Sequence, residues 1–285
     1  MKKLGLVLGG GGLKGLAHIG VLQVLAEHHI TVSSVSGTSS GSIIAAFLAA
    51  GISPYEMERI VLQLESREYL DYNISGLIKY GLGLLVPGKN PALNGLIKGQ
   101  KLEKLIADLT DYKTLNQVKI PLAIIACNIN TGDEVIFSNL NPVSESQAFF
   151  VREALLSEAV RASISVPGIF VPYCFRGMQL VDGGIKAVVP VAIQSAMGAQ
   201  YVMTVNLGKE RYQEPVAGIP QIISRTIEIL VYETSDTAET LYADLRINPF
   251  IPEVRLDEIE KASSIIRAGR RAMLAQLGKL QKGLR

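Results

Sequence analysis

The first fifty residues alternate apolar runs with helical periodicity, and this alternation restricts the fold more than any other feature of the chain. Residues 4–9 (LGLVLG) form an uninterrupted apolar run that is typical of a buried parallel strand. After a run of glycines, apolar side chains recur at helical spacing at Leu16, Ile19, Leu22 and Leu25. The pattern then repeats, with a strand in ITVSSVSG and a helix in SSGSIIAAFLAAG. This β–α–β–α opening predicts an α/β fold with a parallel sheet and right-handed crossovers.

The rest of the chain also contains both strand and helix patterns. Strands are predicted in IPLAIIACNINTG, in DEVIFSN, which forms a hairpin with it, and in QYVMTVNLG, with short strands in the Pro- and Gly-punctuated stretch that ends at LVDGG. Helices are predicted over 54–70, in KLEKLIADL, from about Glu145 to Arg161, in PVAIQSAMG and over most of 215–285.

Residues 71–100 interrupt this order with Gly, Pro and Asn mixed among Leu and Ile. Such a long irregular stretch within a compact domain is usually functional, for example as a lid. The chain shows neither an internal repeat nor a low-complexity linker. We therefore predict a single domain over 1–285, with a core at roughly 4–207 and a mainly helical extension at 215–285 packed on it.

Composition limits the classes of partner. Apolar residues make up 48% of the chain, charged residues 19%, and the mean hydropathy is +0.28, which favours a large core or a lipid-facing surface over disorder. The net charge is +2 with both signs interspersed, so no nucleic-acid partner is expected.

The cysteines and the longest apolar runs exclude further classes. Cys127 lies in an apolar run and is expected to be a buried free thiol; neither it nor Cys174 has the spacing of a metal site. Apolar runs fall short of the ~20 residues that span a bilayer, and glycines interrupt the N-terminal run where a secretory core should continue. We expect a cytoplasmic protein whose membrane contact, if any, is peripheral.

The pentapeptide Gly37-Thr38-Ser39-Ser40-Gly41 has the form G-x-S-x-G between a strand and a helix. In this context the serine lies on a tight, strained turn and its hydroxyl is exposed at the helix N-terminus, where free N–H groups favour negative charge. Of the nearby serines, Ser39 has glycine at both −2 and +2 and is the candidate nucleophile. The alternative is that Thr38 or Ser39 simply caps the helix.

The glycine run 9–12 follows the first strand and lets backbone N–H groups face a pocket without side chains in the way. An oxyanion hole or a phosphate cradle requires this arrangement. A dinucleotide frame can be drawn through Gly10, Gly12 and Gly15, but the second strand does not end in the acidic residue that would hold a ribose. Lys14 is not followed by Ser or Thr, so the triphosphate-loop pattern fails; Lys14 places a charge near the pocket or is a solvated lysine.

A nucleophilic serine needs a base, and the three histidines are poorly placed for that role. His28 and His29 lie between the first helix and the second strand, at the wrong end of the sheet, and His18 is expected to pack within the helix. The base would then be a carboxylate. Asp182 in LVDGG is the candidate, although Asp-Gly is also a frequent turn signal.

Taken together, these elements resemble the patatin-like phospholipases, most closely the compact bacterial members. The resemblance covers most of the chain and rests on four blocks: LGGGGLKGLAHIGVLQVL, SVSGTSSGSIIAA, GLIKGQKLEKLI and ASISVPGIFVPYCFRGMQLVDGG. It implies a three-layer α/β/α fold with a mainly parallel central sheet. It also implies a serine acyl hydrolase that cleaves carboxyl esters of lipids, phospholipid or lysophospholipid, without cofactor or metal.

The resemblance assigns roles residue by residue. Ser39 would be the nucleophile, Asp182 its base, and the amides of Gly10, Gly11 and Gly12 the oxyanion hole. Supporting positions would be Lys14, Gly37, Gly41 and Gly183. Two departures concern Ser40, where the family most often has Ala, and IKAVVPV after Asp-Gly-Gly, which alters the pocket wall in place of an Asn-Pro-type turn.

The substrate and partners follow less directly from the residues. A lipid or other acyl ester is the expected substrate, and the Leu-rich stretch 71–100 suits an acyl pocket with peripheral membrane contact. A general carboxylesterase, a nucleotide-binding protein that uses the glycine loop, and a catalytically silent lipid-binding protein are the alternatives. The amphipathic C-terminal helices could cover the core or pair with a second subunit in a homo-oligomer.

Overall fold

The computed structural model describes residues 2–86, 91–140, 148–208 and 215–285, and within them nine strands form one sheet. The strands are Leu4–Leu8 (β1), Val32–Thr38 (β2), Leu122–Asn128 (β3), Glu134–Ser138 (β4), Phe149–Val151 (β5), Tyr173–Phe175 (β6), Met178–Asp182 (β7), Tyr201–Val205 (β8) and Leu245–Ile247 (β9). The helices are Ala17–Glu27 (α1), Ser40–Ala50 (α2), Pro54–Gln63 (α3), Ser66–Tyr69 (α4), Ile74–Leu84 (α5), Gln100–Leu109 (α6), Leu156–Ser163 (α7), Gly184–Ala187 (α8), Val191–Ala196 (α9), Ile219–Tyr242 (α10) and Ala262–Gly283 (α11). Short 3-10 helices occur at Gly12–Leu16, Leu115–Gln117 and Ile259–Lys261.

The sheet is mostly parallel, which confirms the predicted fold class. Its strand order is β5-β4-β3-β2-β1-β8-β9. Pairs β1–β2, β1–β8, β2–β3, β8–β9 and β4–β5 are parallel, whereas β3–β4, β3–β7 and β6–β7 are antiparallel. The antiparallel β3–β4 pair is the predicted hairpin. The parallel pairs at the centre need helical crossovers, which place helices on both faces.

The two faces of β1 show the three layers directly. Leu4, Leu6 and Leu8 belong to the large core that also contains apolar side chains of α1, α2 and α11. Val7, which points to the other face, packs with Val202 and with side chains of α9 and α10. This alternation with a period of two is what a strand buried on both sides requires.

The C-terminal stretch contributes to both the sheet and a helical layer. Its β9 extends the sheet beside β8, and α11 crosses α1 so closely that a Cβ on Gly269 would lie 1.9 Å from the Ala17 carbonyl oxygen. Within the described residues, no helix is long and apolar enough to cross a membrane.

Three predicted elements were wrong in detail. The helix predicted over 54–70 is two helices, because the backbone is extended at Leu64 and Glu65. The helix predicted from about Glu145 begins only at Leu156; β5 precedes it, since the aromatic pair Phe149 and Phe150 favours an edge strand, and 141–147 lie outside the described residues. The stretch 71–100 is not wholly irregular, because it contains α5; its residues 87–90 are outside the described part.

Candidate active site

Ser39 occupies a sharp turn between β2 and α2. Its backbone has φ 53° and ψ −129°, a region that a residue with a side chain rarely adopts. Two serine hydroxyls hold the turn: the Ser39 N–H donates to Ser163 Oγ (2.9 Å), and Ser42 Oγ donates to the Ser39 carbonyl (2.6 Å). The strained backbone is therefore fixed by the surrounding chain, as the pentapeptide predicts.

The flanking glycines are required by close backbone approach. A Cβ on Gly37 would lie 2.5 Å from the Gly41 carbonyl oxygen, and a Cβ on Gly41 would lie 2.1 Å from the carbonyl oxygen of Leu8 in β1. No side chain fits at such distances, so the turn, the first helical residues and β1 can meet only because both positions are glycine.

Strand β3 brings Asp182 to the serine turn. The last residue of β2, Thr38, pairs with Ile125, and Asp182, the last residue of β7, pairs with the next residue of β3, Ala126. The two strands thus occupy the same edge of β3 in succession, β2 leaving where β7 arrives. Gly183 permits this, since a Cβ there would lie 2.1 Å from the Ile125 carbonyl oxygen.

Asp182 is buried, and hydrogen bonds hold both its backbone and its carboxyl group. The backbone N–H of Asp182 donates to the Ser165 carbonyl (2.9 Å), and Oδ1 accepts the N–H of Gly184 (2.7 Å). Burial raises the pKa of Asp182 to about 6, and the nearby Ser39 hydroxyl and the hydrogen bond from Gly184 work against that rise. Oδ2 accepts no hydrogen bond of normal geometry from the described residues.

The glycine loop lies against the serine turn. A Cβ on Gly10 would be 3.0 Å from Ser39 Cβ, so the loop and the nucleophile candidate are in contact. The Gly10 N–H donates to the Val188 carbonyl (3.0 Å). Among the described residues, no hydrogen bond occupies the N–H groups of Gly11 and Gly12. Gly12 has φ 59°, which turns the chain into the 3-10 helix that carries Lys14.

Lys14 and His18 stabilise the loop through its carbonyls. The Lys14 N–H donates to the Gly11 carbonyl (3.2 Å), and His18 Nε2 bonds to the Gly9 carbonyl (2.8 Å). Burial lowers the pKa of His18 to about 4, so its ring is neutral and acts as a structural donor. This confirms the expected packing role of His18. His28 and His29 are exposed at the end of α1.

The end of α7 carries supporting residues that sequence reasoning missed. Besides Ser163, which ends α7, and Ser165, two residues beyond it, this region contains the buried Arg161. Arg161 donates to Ser165 Oγ (2.5 Å) and to the carbonyls of Lys98 (2.5 Å) and Val171 (2.7 Å). An arginine with these partners fixes the segment whose Ser165 carbonyl holds Asp182. Arg161 directly precedes the ASISVPGIF block in the sequence, but its contact with Lys98 joins segments 63 residues apart.

The described residues contain no group of three or more His, Cys, Asp and Glu side chains arranged to hold a metal ion. Cys127 is buried and Cys174 exposed, both as free thiols. The groups that meet at the site are the Ser39 hydroxyl, the Asp182 carboxyl with its raised pKa and the backbone N–H groups of the glycine loop.

The family model for patatin-like phospholipases matches residues 6–193. An uncharacterised NTE family protein of Mycobacterium tuberculosis is 27% identical over 233 residues, which are 82% of this chain and 57% of that protein. The chain thus spans little more than half the length of this relative. The uncharacterised Bacillus subtilis protein YqhO is 31% identical over 227 residues (75% of this chain, 74% of that protein). Lysophospholipase nte1 of Emericella nidulans is 26% identical over 230 residues (79% and 13%). The chain belongs to the patatin-like phospholipase family.

Proposed function

We propose that the protein is a serine acyl hydrolase that cleaves carboxyl esters of lipids, phospholipid or lysophospholipid. The observation that carries this proposal is the meeting of Ser39, on its strained turn, with the buried carboxyl of Asp182 at successive positions of β3. The family membership and the name of the fungal relative, a lysophospholipase, support the substrate class.

The reaction proceeds in two steps. Ser39 Oγ attacks the ester carbonyl carbon while Asp182 accepts the hydroxyl proton, and the carbonyl electron pair moves onto oxygen. The oxyanion is stabilised by the N–H groups of the glycine loop, Gly11 and Gly12. Gly10, also predicted as a donor, would first have to release the Val188 carbonyl. Collapse breaks the bond to the alcohol, which leaves with the proton from Asp182. Water, deprotonated by Asp182, then cleaves the acyl-enzyme and restores Ser39.

The environment of Asp182 suits it to this role. A carboxylate with an ordinary pKa near 4 is a weak base, whereas the pKa of about 6 caused by burial brings Asp182 closer to neutral pH while leaving most of it ionised at pH 7. The charge in the transition state is stabilised by backbone dipoles, so we propose that no metal takes part.

Helix α5 is proposed as the contact with a lipid surface. Four apolar side chains at helical spacing are exposed, three within α5 and one directly after it: Ile74 (62%), Ile78 (56%), Leu82 (60%) and Leu85 (79%). The stretch 74–86 contains no acidic residue and a single charge, Lys79. An exposed apolar stripe of this kind marks a surface that binds a membrane or another protein.

The base of α5 is tied to the segment that holds Asp182. The N–H of Asn73, directly before α5, donates to the Leu96 carbonyl (2.7 Å). The N–H groups of Leu96 and Ile97 donate to the Ile169 carbonyl (2.9 and 2.8 Å), and the Val171 N–H donates to the Ile97 carbonyl (2.9 Å). This segment follows Ser165, whose carbonyl binds the Asp182 N–H. A lipid surface in contact with α5 would therefore be connected through these hydrogen bonds to the segment that positions Asp182.

The catalytic proposal is tested with a fluorophosphonate probe and p-nitrophenyl butyrate on wild type, Ser39→Ala and Asp182→Asn. We expect Ser39→Ala to lose labelling and Asp182→Asn to lose at least 100-fold in turnover. Ser40→Ala is the matched control, because its Oγ has no hydrogen-bond partner among the described residues, and it should behave like wild type. Labelling that survives in Ser39→Ala would contradict the proposal, as would inactivation of the wild type by a chelator.

The lipid contact is tested separately by sedimentation with phosphatidylcholine vesicles. The double variant Ile78→Glu/Leu82→Glu should bind vesicles at least tenfold more weakly but hydrolyse p-nitrophenyl butyrate normally. Leu274→Glu, at an exposed leucine of α11, is the matched control and should bind like wild type. Equal binding by all three proteins would refute the role of α5 and leave the hydrolase proposal standing.

A further inference from the structure

A tyrosine from the C-terminal part of the chain reaches the glycine loop. Tyr232 lies in the middle of α10, and its hydroxyl donates to the Gly10 carbonyl (2.9 Å) across 222 positions of sequence. The family match ends at residue 193, so α10 lies outside it. This contact joins the proposed oxyanion loop to an element that the family pattern does not include.

The direction of the Gly10 carbonyl decides the direction of the next amide. In a planar trans peptide the C=O of one residue and the N–H of the following residue point in opposite directions. When Tyr232 holds the Gly10 carbonyl, the Gly11 N–H must face the other way. Without Cβ atoms on either side, a Gly-Gly peptide rotates freely unless a hydrogen bond fixes it.

Three successive carbonyls of the glycine loop each accept a hydrogen bond. Gly9 accepts from His18 in α1 (2.8 Å), Gly10 from Tyr232 in α10 (2.9 Å), and Gly11 from the Lys14 N–H (3.2 Å). Since each of these carbonyls is held, the N–H group that follows it in the same peptide is held in the opposite direction. The amides of Gly11 and Gly12, which no hydrogen bond occupies within the described residues, are left for a ligand.

Tyr232 is itself held in place by contacts around β8. A Cβ on Gly208 would lie 2.4 Å from Tyr232 Cδ1, so the ring packs directly over that glycine. Two turns further along α10, Glu239 Oε2 accepts the side-chain amide of Asn206 (2.6 Å), and Asn206 Oδ1 accepts the Gly208 N–H (2.8 Å). Ring and helix are therefore fixed to the same end of β8.

We propose that Tyr232 is a positioning residue of the oxyanion hole: its hydroxyl orients the Gly10–Gly11 peptide so that the Gly11 N–H faces the substrate oxygen. This inference rests on the proposed function. Tyr232 does not touch the substrate and acts through the loop backbone. Because the oxyanion forms only in the transition state, Tyr232 should affect kcat rather than KM.

The test is Tyr232→Phe, which keeps the ring over Gly208 and removes one hydroxyl. Loss of a complete oxyanion donor costs about 100- to 1000-fold, so a loosened donor should lower kcat for p-nitrophenyl butyrate by about 5- to 30-fold with KM unchanged. Affinity for a trifluoromethyl ketone, which forms an anionic adduct with the nucleophile, should weaken by a similar factor. Tyr242→Phe, at an exposed tyrosine of the same helix, is the matched control and should match wild type.

Each rate is divided by the concentration of active sites, which is measured by titration with the fluorophosphonate. A partly unfolded sample therefore does not lower the kcat obtained. An unchanged kcat in Tyr232→Phe, or a rise in KM with kcat and ketone affinity intact, would overturn the inference about Tyr232. The proposed function would still stand in that case if turnover depends on Ser39. Turnover that survives in Ser39→Ala overturns both.

Discussion

Replacing Asp182 by asparagine should abolish turnover and at the same time stabilise the protein at neutral pH. Burial raises the pKa of this carboxyl from 3.8 to about 6, so the folded state binds the proton more tightly than the unfolded state. The stabilising contribution of the protonated group is complete below pH 3.8 and is lost as the pH rises through about 6. The gap between these values corresponds to about 3 kcal/mol of unfolding free energy at pH 7.5.

The assay is urea unfolding of wild type and Asp182→Asn at pH 7.5 and pH 4. Asparagine keeps the shape of the side chain, and its oxygen can still accept the Gly184 N–H. We expect the variant to exceed wild type by up to about 3 kcal/mol at pH 7.5 and to approach it at pH 4. Other groups, including His18, titrate alike in both proteins and cancel in the difference.

Asp133→Asn serves as the matched control, since this carboxyl is exposed in the turn between β3 and β4. It should change the free energy of unfolding by less than about 0.5 kcal/mol at either pH. The reasoning would be refuted if wild type were as stable as Asp182→Asn at pH 7.5, or more stable. In that case the buried, ionised carboxylate would not lower the free energy of unfolding.

Three further outcomes are expected. The kcat/KM for a short-chain ester should rise about tenfold from pH 5 to pH 8, because Asp182 becomes ionised through pH 6; an ordinary carboxylate would give a flat profile over that range. Gly41→Ala, whose Cβ would lie 2.1 Å from a β1 carbonyl, should lower the melting temperature by more than about 10 °C, whereas Gly278→Ala, with open space on α11, should leave it equal or higher. Ser163→Ala, which leaves the Ser39 N–H without its acceptor, should destabilise by about 1–3 kcal/mol in urea unfolding and lower kcat; full activity would show that the bond is dispensable.

What the sequence predicted well is local in origin. The opening β–α–β–α pattern and the placement of Ser39 follow from short periodicities and from glycine positions, which are set by nearby backbone geometry. The poor placement of the three histidines also followed from chain order alone, and the buried His18 bears this out for the histidine nearest to the glycine loop.

What the sequence did not predict depends on distant partners. The contacts of Tyr232 with Gly10 and of Ser163 with Ser39 join segments 222 and 124 residues apart, and neither residue belongs to a pattern of spacing. The strand at Phe149–Val151 was predicted as helix although its aromatic residues favour a strand, because the pairing with β4 that fixes it is a tertiary contact. The raised pKa of Asp182 likewise arises from burial by the whole fold.

The succession of β2 and β7 along one edge of β3 has a consequence for how loss of activity is diagnosed. Thr38 and Asp182 are aligned by neighbouring residues of a single strand, so a slip of β7 by one residue would turn Asp182 to the opposite face. Such a slip would keep every helix and nearly every strand hydrogen bond. Circular dichroism would therefore report an intact protein, whereas titration with a covalent active-site probe would reveal the loss of the proposed base.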